Sequence, residues 1–378
     1  MTIRPSFSGS FPLTRSVALL IALLLLSAGP FRGQAPCAPP PSMKAQLHDK
    51  PSAAALTDLG VWFAGQQKYA CAANAFATSL QMEPNQKDIA HVAFMFGVSL
   101  YFSGDTEEAI AALRQAEQLG YRDIKLNIVL ATALDASHST KNAADEWRAA
   151  LALDPESATA LDGLSNDLLL QSDFNGVIAL LENPRLLAER TPQQSLNLAE
   201  AYARTARLDA AASVLRDALN TSPDSLPLAN RLADLLGQLG RRDEAVTVLD
   251  LALAQHPDDS DTAGHYLETL MAARPEKAPE AAHRLLLVFP QNSKLLYLNG
   301  ILDMKAGNLE QARARLEQSL ALQPDDALSH EALGLVLAQL NQMTGAKEHL
   351  QRAIALGDNG PEVKESLKRV LQALGTAK

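Results

Sequence analysis

The sequence repeats itself with a period of about 34 residues. Successive units can be placed at residues 53, 90, 124, 158, 192, 226, 259, 293 and 327. In each unit, apolar residues recur at helical spacing in two successive halves, as in "LADLLGQLG" followed by "AVTVLDLAL". One helix pair cannot cover its own apolar face, so the units must stack on one another. This period therefore predicts an all-α array instead of the two or three globular domains that 378 residues would otherwise suggest.

Two positions of the unit hold small residues, and many units close with proline. A small residue on the first helix lets the second helix approach closely, and proline ends a helix because it lacks the N–H. The eighth position holds Gly60, Gly97, Ala131, Ser165, Ala199, Ala233, Tyr266, Gly300 and Gly334. The twentieth holds Ala72, Ala109, Ala143, Val177, Ala211, Ala245, Ala278, Ala312 and Ala346. The closing prolines are Pro84, Pro155, Pro223, Pro257, Pro290 and Pro324.

This pattern resembles the tetratricopeptide repeat (TPR), a helix–turn–helix unit with small residues at two fixed positions and a closing proline. The resemblance covers residues 53–360 and implies a right-handed α-solenoid of about nine units. Residues 361–378 are too few for another unit, so they are predicted to form a capping helix with a polar outer side. The first unit shows the family register in Leu59, Gly60, Phe63, Ala72, Phe76 and Pro84.

Three places depart from the pattern. Lys87 to Ile89 add three residues between the first two units. In the fourth unit Pro184 stands where a small helical residue is expected, which predicts a second helix that kinks or ends early. In the seventh unit Tyr266 occupies the small position, and Pro275 and Pro279 crowd the turn.

The N-terminus is typical of an export signal. After Arg4 and Arg15, the segment Ser16 to Gly29 forms an apolar run that is too short to span a bilayer comfortably. We therefore predict a secretory signal peptide over residues 1–35 and an exported protein, periplasmic or secreted. Pro36 would hinder cleavage after residue 35, so an uncleaved anchor is the alternative. Residues 36–52 are rich in proline and are predicted to form a linker without a helix.

Cys37 and Cys71 are the only cysteines of the chain. In an exported protein, they could form a disulfide that ties the proline-rich segment to the first helices. The alternative, which the sequence favours, is that Cys71 is a small helical residue and Cys37 a free thiol.

Composition and motifs argue against catalysis. The formal net charge of −10 and the lack of a long basic run exclude the usual nucleic-acid surfaces. No glycine-rich phosphate loop, HExxH, GxSxG or paired CxxC is present. Asp162, Asn166, Asp167 and Asp173 lie close together, but they lack the ligand spacing of a calcium loop. We predict a non-enzymatic protein with no cofactor, no metal site and no small-molecule substrate.

The resemblance places a peptide-binding groove on the first helices of the units. Asn166 at the ninth position, Asn197 at the sixth and Arg231 at the sixth match part of the family's carboxylate clamp. Asp162 and Pro227 stand where the clamp has basic residues, so contact with a peptide main chain is favoured over its terminal carboxylate. Glu200, Arg204 and Asp234 are predicted to border this patch. The alternative is that all of these are ordinary solvated helix residues.

A second candidate surface is apolar and lies on the first helix of the second unit. The same numbering places Phe94, Met95, Tyr101 and Phe102 toward the groove. The alternative is that they cover the inserted residues near Lys87 or contact the N-terminal segment.

The sequence thus favours an exported TPR scaffold that binds a protein or peptide partner in its groove, in the periplasm or in an envelope-associated complex. Membrane association is expected only through an uncleaved N-terminal anchor. One alternative is an accessory subunit of a glycosyltransferase, protease or polysaccharide-export system whose catalytic part lies on another chain. A further alternative is self-association through the ends of the array.

Overall fold

The structure is a computed structural model that describes residues 37–183 and 190–376. Within these two ranges the chain forms twenty helices and no strand, which confirms the predicted all-α repeat. The two ranges belong to two separate compact units, called here the first and second units. The 34-residue units of the sequence are called repeats from this point on. The signal-peptide prediction for residues 1–35 concerns residues outside the described ranges. None of the described helices is both long and apolar enough to cross a membrane.

The first unit contains one leading helix, α1 (Pro41–Asp49), and four helix pairs. The pairs are α2 (Ala53–Gly65) with α3 (Tyr69–Met82), α4 (Ile89–Ser103) with α5 (Thr106–Gln118), α6 (Ile124–Ala136) with α7 (Thr140–Leu153), and α8 (Ala158–Leu170) with α9 (Phe174–Leu181). Every helix from α2 to α8 packs against the next one along the chain.

The second unit contains five helix pairs and a final helix. The pairs are α10 (Pro192–Arg204) with α11 (Leu208–Thr221), α12 (Leu226–Gln238) with α13 (Arg242–Gln255), α14 (Ser260–Ala273) with α15 (Ala278–Val288), α16 (Ser293–Ala306) with α17 (Leu309–Leu322), and α18 (Ala327–Gln339) with α19 (Met343–Ala355). The last helix is α20 (Pro361–Thr376). All nine first helices of the two units begin within one residue of the predicted positions.

The small residues sit at the close contacts that the repeat predicts. A Cβ added to Gly97 would lie 2.7 Å from Leu113 Cγ, and one added to Gly334 would lie 2.7 Å from Leu350 Cγ. All nine residues at the twentieth position, from Ala72 to Ala346, are fully buried. Side-chain volume at these positions therefore fixes how closely the two helices of a pair approach.

The fourth repeat and the C-terminus also follow the sequence. Helix α9 ends at Leu181 after only 8 residues, whereas α11 and α13 each have 14. The early end before Pro184 confirms that part of the prediction. Helix α20 buries Val363 and Val370 against the last pair and leaves Glu365 exposed, as expected of a cap.

Two expectations about the N-terminal segment are wrong. Residues 36–52 were predicted to contain no helix, but Pro41–Asp49 form α1. Pro41 is compatible with this helix because it lies in the first turn, where an N–H group would have no partner within the helix. Leu47 of α1 is buried in the core formed by α2 and α3. Cys37 and Cys71 form a disulfide, with their Cα atoms 5.5 Å apart, so the favoured free-thiol interpretation is also wrong.

Candidate functional site

The first helices of the second unit lie side by side and carry a row of charged side chains. Helix α10 contacts α12, α12 contacts α14, and α14 contacts α16. Because side chains four residues apart on a helix share a face, α12, α14 and α16 present polar groups to the same groove. The residues that line the groove come from α12, α13, α14 and α16.

Arg231 of α12 is the centre of the row. Its Nη2 donates to Glu200 Oε2 of α10, and its Nη1 lies 4.0 Å from Asp234 Oδ2 on its own helix. Arg204 Nη1 lies 3.7 Å from Glu200 Oε1. The structure therefore brings together four of the residues singled out in the sequence, and it pairs their charges with one another.

His265 of α14 extends the row to the next repeat. Its Nε2 lies 3.1 Å from Asp234 Oδ1, and its Nδ1 lies 3.1 Å from Asn230 Oδ1. Asn230 Nδ2 in turn donates to Thr262 Oγ1 at 2.9 Å. Both ring nitrogens of His265 therefore have an oxygen of a neighbouring side chain within hydrogen-bond distance.

The electrostatics of Asp234 follow from these contacts. The hydrogen bond from His265 holds the pKa of Asp234 below its ordinary value, against the opposite effect of partial burial. The positive charges of Arg231 and Lys294 act in the same direction as the hydrogen bond. Asp234 is therefore a carboxylate at neutral pH and serves only as an acceptor.

A groove of about 770 Å³ runs beside this row. Lys294 of α16 crosses it: its Nζ lies 2.8 Å from Glu268 Oε2, and its Cδ would lie 3.1 Å from a Cβ added to Gly264. Arg242 and Asp261 also line the groove, and both are exposed. The groove thus offers basic side chains that donate hydrogen bonds and carboxylates that accept them along its length. This combination suits the alternating N–H and C=O groups of an extended chain.

The sequence pattern did not reveal His265, because the seventh repeat was placed one residue too early. The buried residues Leu232 and Ala233 of α12 correspond to the buried Tyr266 and Leu267 of α14, 34 residues later. Tyr266 is therefore not at the small position, and His265 is the equivalent of Arg231. With this register, position six pairs with position nine of the preceding repeat in both Glu200–Arg231 and Asp234–His265.

The two asparagines of the predicted peptide-binding set have different surroundings. Asn197 on α10 is only 4% exposed and accepts a hydrogen bond from Gln193 Nε2 at 2.9 Å. Asn166 lies on α8 in the first unit and is exposed. Of the predicted set, Arg231, Glu200, Arg204 and Asp234 form a connected row within the second unit.

The structure does not gather the four residues of the predicted apolar patch into one surface. Phe94 is buried and stacks on Tyr121, at 4.5 Å between ring centroids, in the connection to the following repeat. Phe102 is exposed and stacks on Tyr69 of the preceding repeat at 5.0 Å. Met95 packs against the core of α2 and α3, and Tyr101 packs beside Leu100. These side chains therefore serve contacts on both sides of α4.

Comparisons with known proteins agree with the helix-pair architecture. Residues 204–269 and 297–361 match models of the tetratricopeptide repeat. A TPR repeat-containing protein of Pseudomonas aeruginosa is 34% identical over 149 residues, which cover 38% of this chain and 25% of that protein. Human tetratricopeptide repeat protein 7B is 30% identical over 102 residues, which cover 27% of this chain and 12% of that protein. The chain thus spans a quarter or less of the length of these two relatives.

Solved structures are similar at lower identity. The Cut9–Hcn1 hetero-tetramer of the APC/C aligns with a TM-score of 0.46 and 14% identity, covering 84% of this chain and 76% of that chain. PilW, described as a type IV pilus biogenesis factor, aligns with a TM-score of 0.42 and 22% identity, covering 48% and 86%.

The repeated helix pairs and the two repeat-model matches show that the chain contains tetratricopeptide repeats. Repeats of this kind indicate a scaffold for protein–protein interaction.

Proposed function

We propose that this chain is an exported, non-enzymatic scaffold that binds an extended segment of a protein partner in the groove of the second unit. The observation that carries the proposal is the groove itself, about 770 Å³ in volume and lined by the row of paired charges around Arg231 and His265. An extended peptide can exchange hydrogen bonds with such a wall through its main chain, while the charged pairs select its side chains.

The disulfide supports the exported part of the proposal. Disulfides persist in oxidising compartments and are rare where thiols are kept reduced. Cys37 and Cys71 are bonded here, and the sequence that precedes them has the layout of a secretory signal. Export would therefore deliver the chain to a compartment in which the bond between Cys37 and Cys71 is stable.

Binding in the groove is tested with a photo-activated cross-linking residue. Placed at Gln238, which lines the groove, it is expected to capture a protein partner in cells. Placed at Leu251, a 60% exposed residue of the second helix α13, it serves as a control for proximity on another face. Equal capture at both positions would contradict a groove-specific partner.

The captured partner then allows a matched comparison of two ion pairs. Arg231→Gln removes the pair to Glu200 in the groove, whereas Arg216→Gln removes a pair to Glu244, 3.6 Å long, on the second helices. We expect Arg231→Gln to weaken binding about ten- to a hundredfold, because a hydrogen bond to a charged group is worth about 1.5–3 kcal/mol. Arg216→Gln should leave the dissociation constant unchanged. A similar effect of both substitutions, measured by calorimetry, would remove the groove from the proposal.

Export is tested by fractionation combined with thiol labelling. The full chain is expected outside the cytoplasm, with Cys37 and Cys71 reacting with maleimide only after reduction. Deletion of residues 16–29 should keep the chain in the cytoplasm with both thiols reactive. Export that persists after this deletion would show that the apolar run is not the signal.

A further inference from the structure

Two histidines face each other within the last helix pair of the second unit. His330 lies on α18 and His349 on α19, and their Nδ1 atoms are 2.9 Å apart. The ring centroids are 5.1 Å apart with an angle of 32° between the planes. Both residues are half-buried, so the pair is held by its surroundings and still open to solvent.

A backbone carbonyl fixes which nitrogen of His330 carries the proton. His330 Nε2 lies 2.9 Å from Pro324 O, which can only accept, so Nε2 is the donor. A neutral His330 then has its lone pair on Nδ1, directed at His349. The hydrogen bond between the rings therefore requires that His349 Nδ1 be the donor.

We propose that His330 and His349 together bind one divalent transition-metal ion, with Cu²⁺ preferred, through their two Nδ1 atoms. Binding needs one rearrangement: the proton of His349 moves from Nδ1 to Nε2, which exchanges one neutral tautomer for the other with no net release of a proton. Both Nδ1 atoms then have a lone pair for the ion, each ring turns slightly so that this lone pair leaves the line between the two nitrogens, and water molecules complete the coordination.

The geometry favours copper among the ions that imidazole binds. Two metal–nitrogen bonds of about 2.0–2.1 Å that span the 2.9 Å between the Nδ1 atoms meet at about 90°. That angle is typical of two adjacent ligands in square-planar or tetragonal sites, which Cu²⁺ and Ni²⁺ adopt, and Cu²⁺ has the highest affinity in the first-row series. The carbonyl of Pro324 on the far nitrogen of His330 is the kind of partner that orients histidine ligands in metal sites.

The charges around the pair also suit a cation. Burial and the neighbouring His330 lower the pKa of His349. The carboxylates of Glu348 and Glu317 act on His349 in the opposite direction and place negative charge nearby. In the part of the chain that the structure describes, no three histidine, cysteine or acidic side chains are gathered around one point. The protein therefore supplies two ligands at this site.

The test uses the full mature chain without an affinity tag and Cu²⁺ as the probe. Calorimetry is expected to show one strong binding event per chain, and electron paramagnetic resonance should show coupling to two equivalent nitrogen ligands. His330→Gln and His349→Gln should each weaken this event at least tenfold. His283→Gln, which changes an exposed histidine on α15 of the same unit, should leave it unchanged.

Melting of each variant without metal shows whether it is folded. If either variant unfolds, the resonance spectrum of the wild-type chain decides alone, because two nitrogen ligands support the site and none or one overturns it. Undiminished binding by a folded His330→Gln or His349→Gln variant overturns the proposal, and so does the absence of binding by the wild-type chain at 0.1 mM Cu²⁺ (about a thousandfold above a tight site, on the order of 0.1 µM).

Discussion

Replacing Asp167 by asparagine is expected to stabilise the first unit at pH 8 by about 2–4 kcal/mol and to have little effect at pH 4. Asp167 on α8 is only 2% exposed, and its Oδ2 has no hydrogen-bond partner within the described chain. The carboxyl of Asp135 on α6 lies next to Asp167. This carboxyl accepts a hydrogen bond from Trp147 Nε1 at 3.1 Å. Two carboxyl groups at a buried place cannot both ionise without cost.

The direction of the effect follows from the pKa of Asp167. Burial raises it to about 7, with further contributions from the charge and the hydrogen bond of Asp135, while Arg148 acts in the opposite direction. The unfolded chain loses this proton near its ordinary value of 3.8. Between these two values the folded state holds more protons than the unfolded state, so its stability falls as the pH rises through this window. The contribution is fully present below about pH 4 and is lost above about pH 7.

The magnitude rests on about 1.4 kcal/mol per pKa unit. Asparagine has nearly the same shape and no charge, so it removes this loss at high pH. Urea unfolding of the wild type and Asp167→Asn, followed by the fluorescence of Trp62 and Trp147 at pH 4 to 8, measures the difference. Asp58→Asn, at an exposed position of α2 in the same unit, is the control. A wild-type unfolding energy that stays constant from pH 4 to 8 would contradict the buried-carboxyl interpretation.

Removing the disulfide is expected to lower the free energy of unfolding of the first unit by about 3–4 kcal/mol. The bond joins residues 34 positions apart, and a cross-link that closes a loop of this length restricts the unfolded chain by about that amount. Cys71 is 4% exposed, so Cys37→Ala/Cys71→Ala avoids a buried hydroxyl. The bond also holds α1 in place, so amide exchange of Leu47 should become faster in this variant.

Reduction of the wild-type chain provides the matched control. Treatment with dithiothreitol should reproduce the destabilisation in the wild type and leave the double alanine variant unchanged. The second unit contains no cysteine, so its transition should be the same in every sample. A double variant that unfolds at the same urea concentration as the oxidised wild type would show that the cross-link does not stabilise α1 or its repeat.

The sequence determined the repeat architecture because the residues that encode it act locally. Proline and the small residues at positions eight and twenty each constrain their own helix pair, and repetition makes the signal visible without any knowledge of distant contacts. Gly97 against Leu113 and Gly334 against Leu350 show the expected close approach. The register failed only in the seventh repeat, where Tyr266 was placed one position too late because the buried Ala278 follows the start of α14 one residue sooner than Ala245 follows the start of α12.

The features that only the tertiary structure decided depend on partners from different helices. Nothing local to Cys37 or Leu47 shows that they dock on α2 and α3. Arg231 and Glu200 were both recognised as groove residues, but their pairing required the position of one repeat relative to the next.

The same reason explains the buried carboxyls and the facing histidines. Asp135 and Asp167 are 32 residues apart, and His330 and His349 are 19 apart. A helical sequence fixes which side of its own helix a residue occupies. The packing of two helices decides which atom the residue meets across the interface. The same packing supplies the neighbours and the burial that change the proton affinity of an ionisable group.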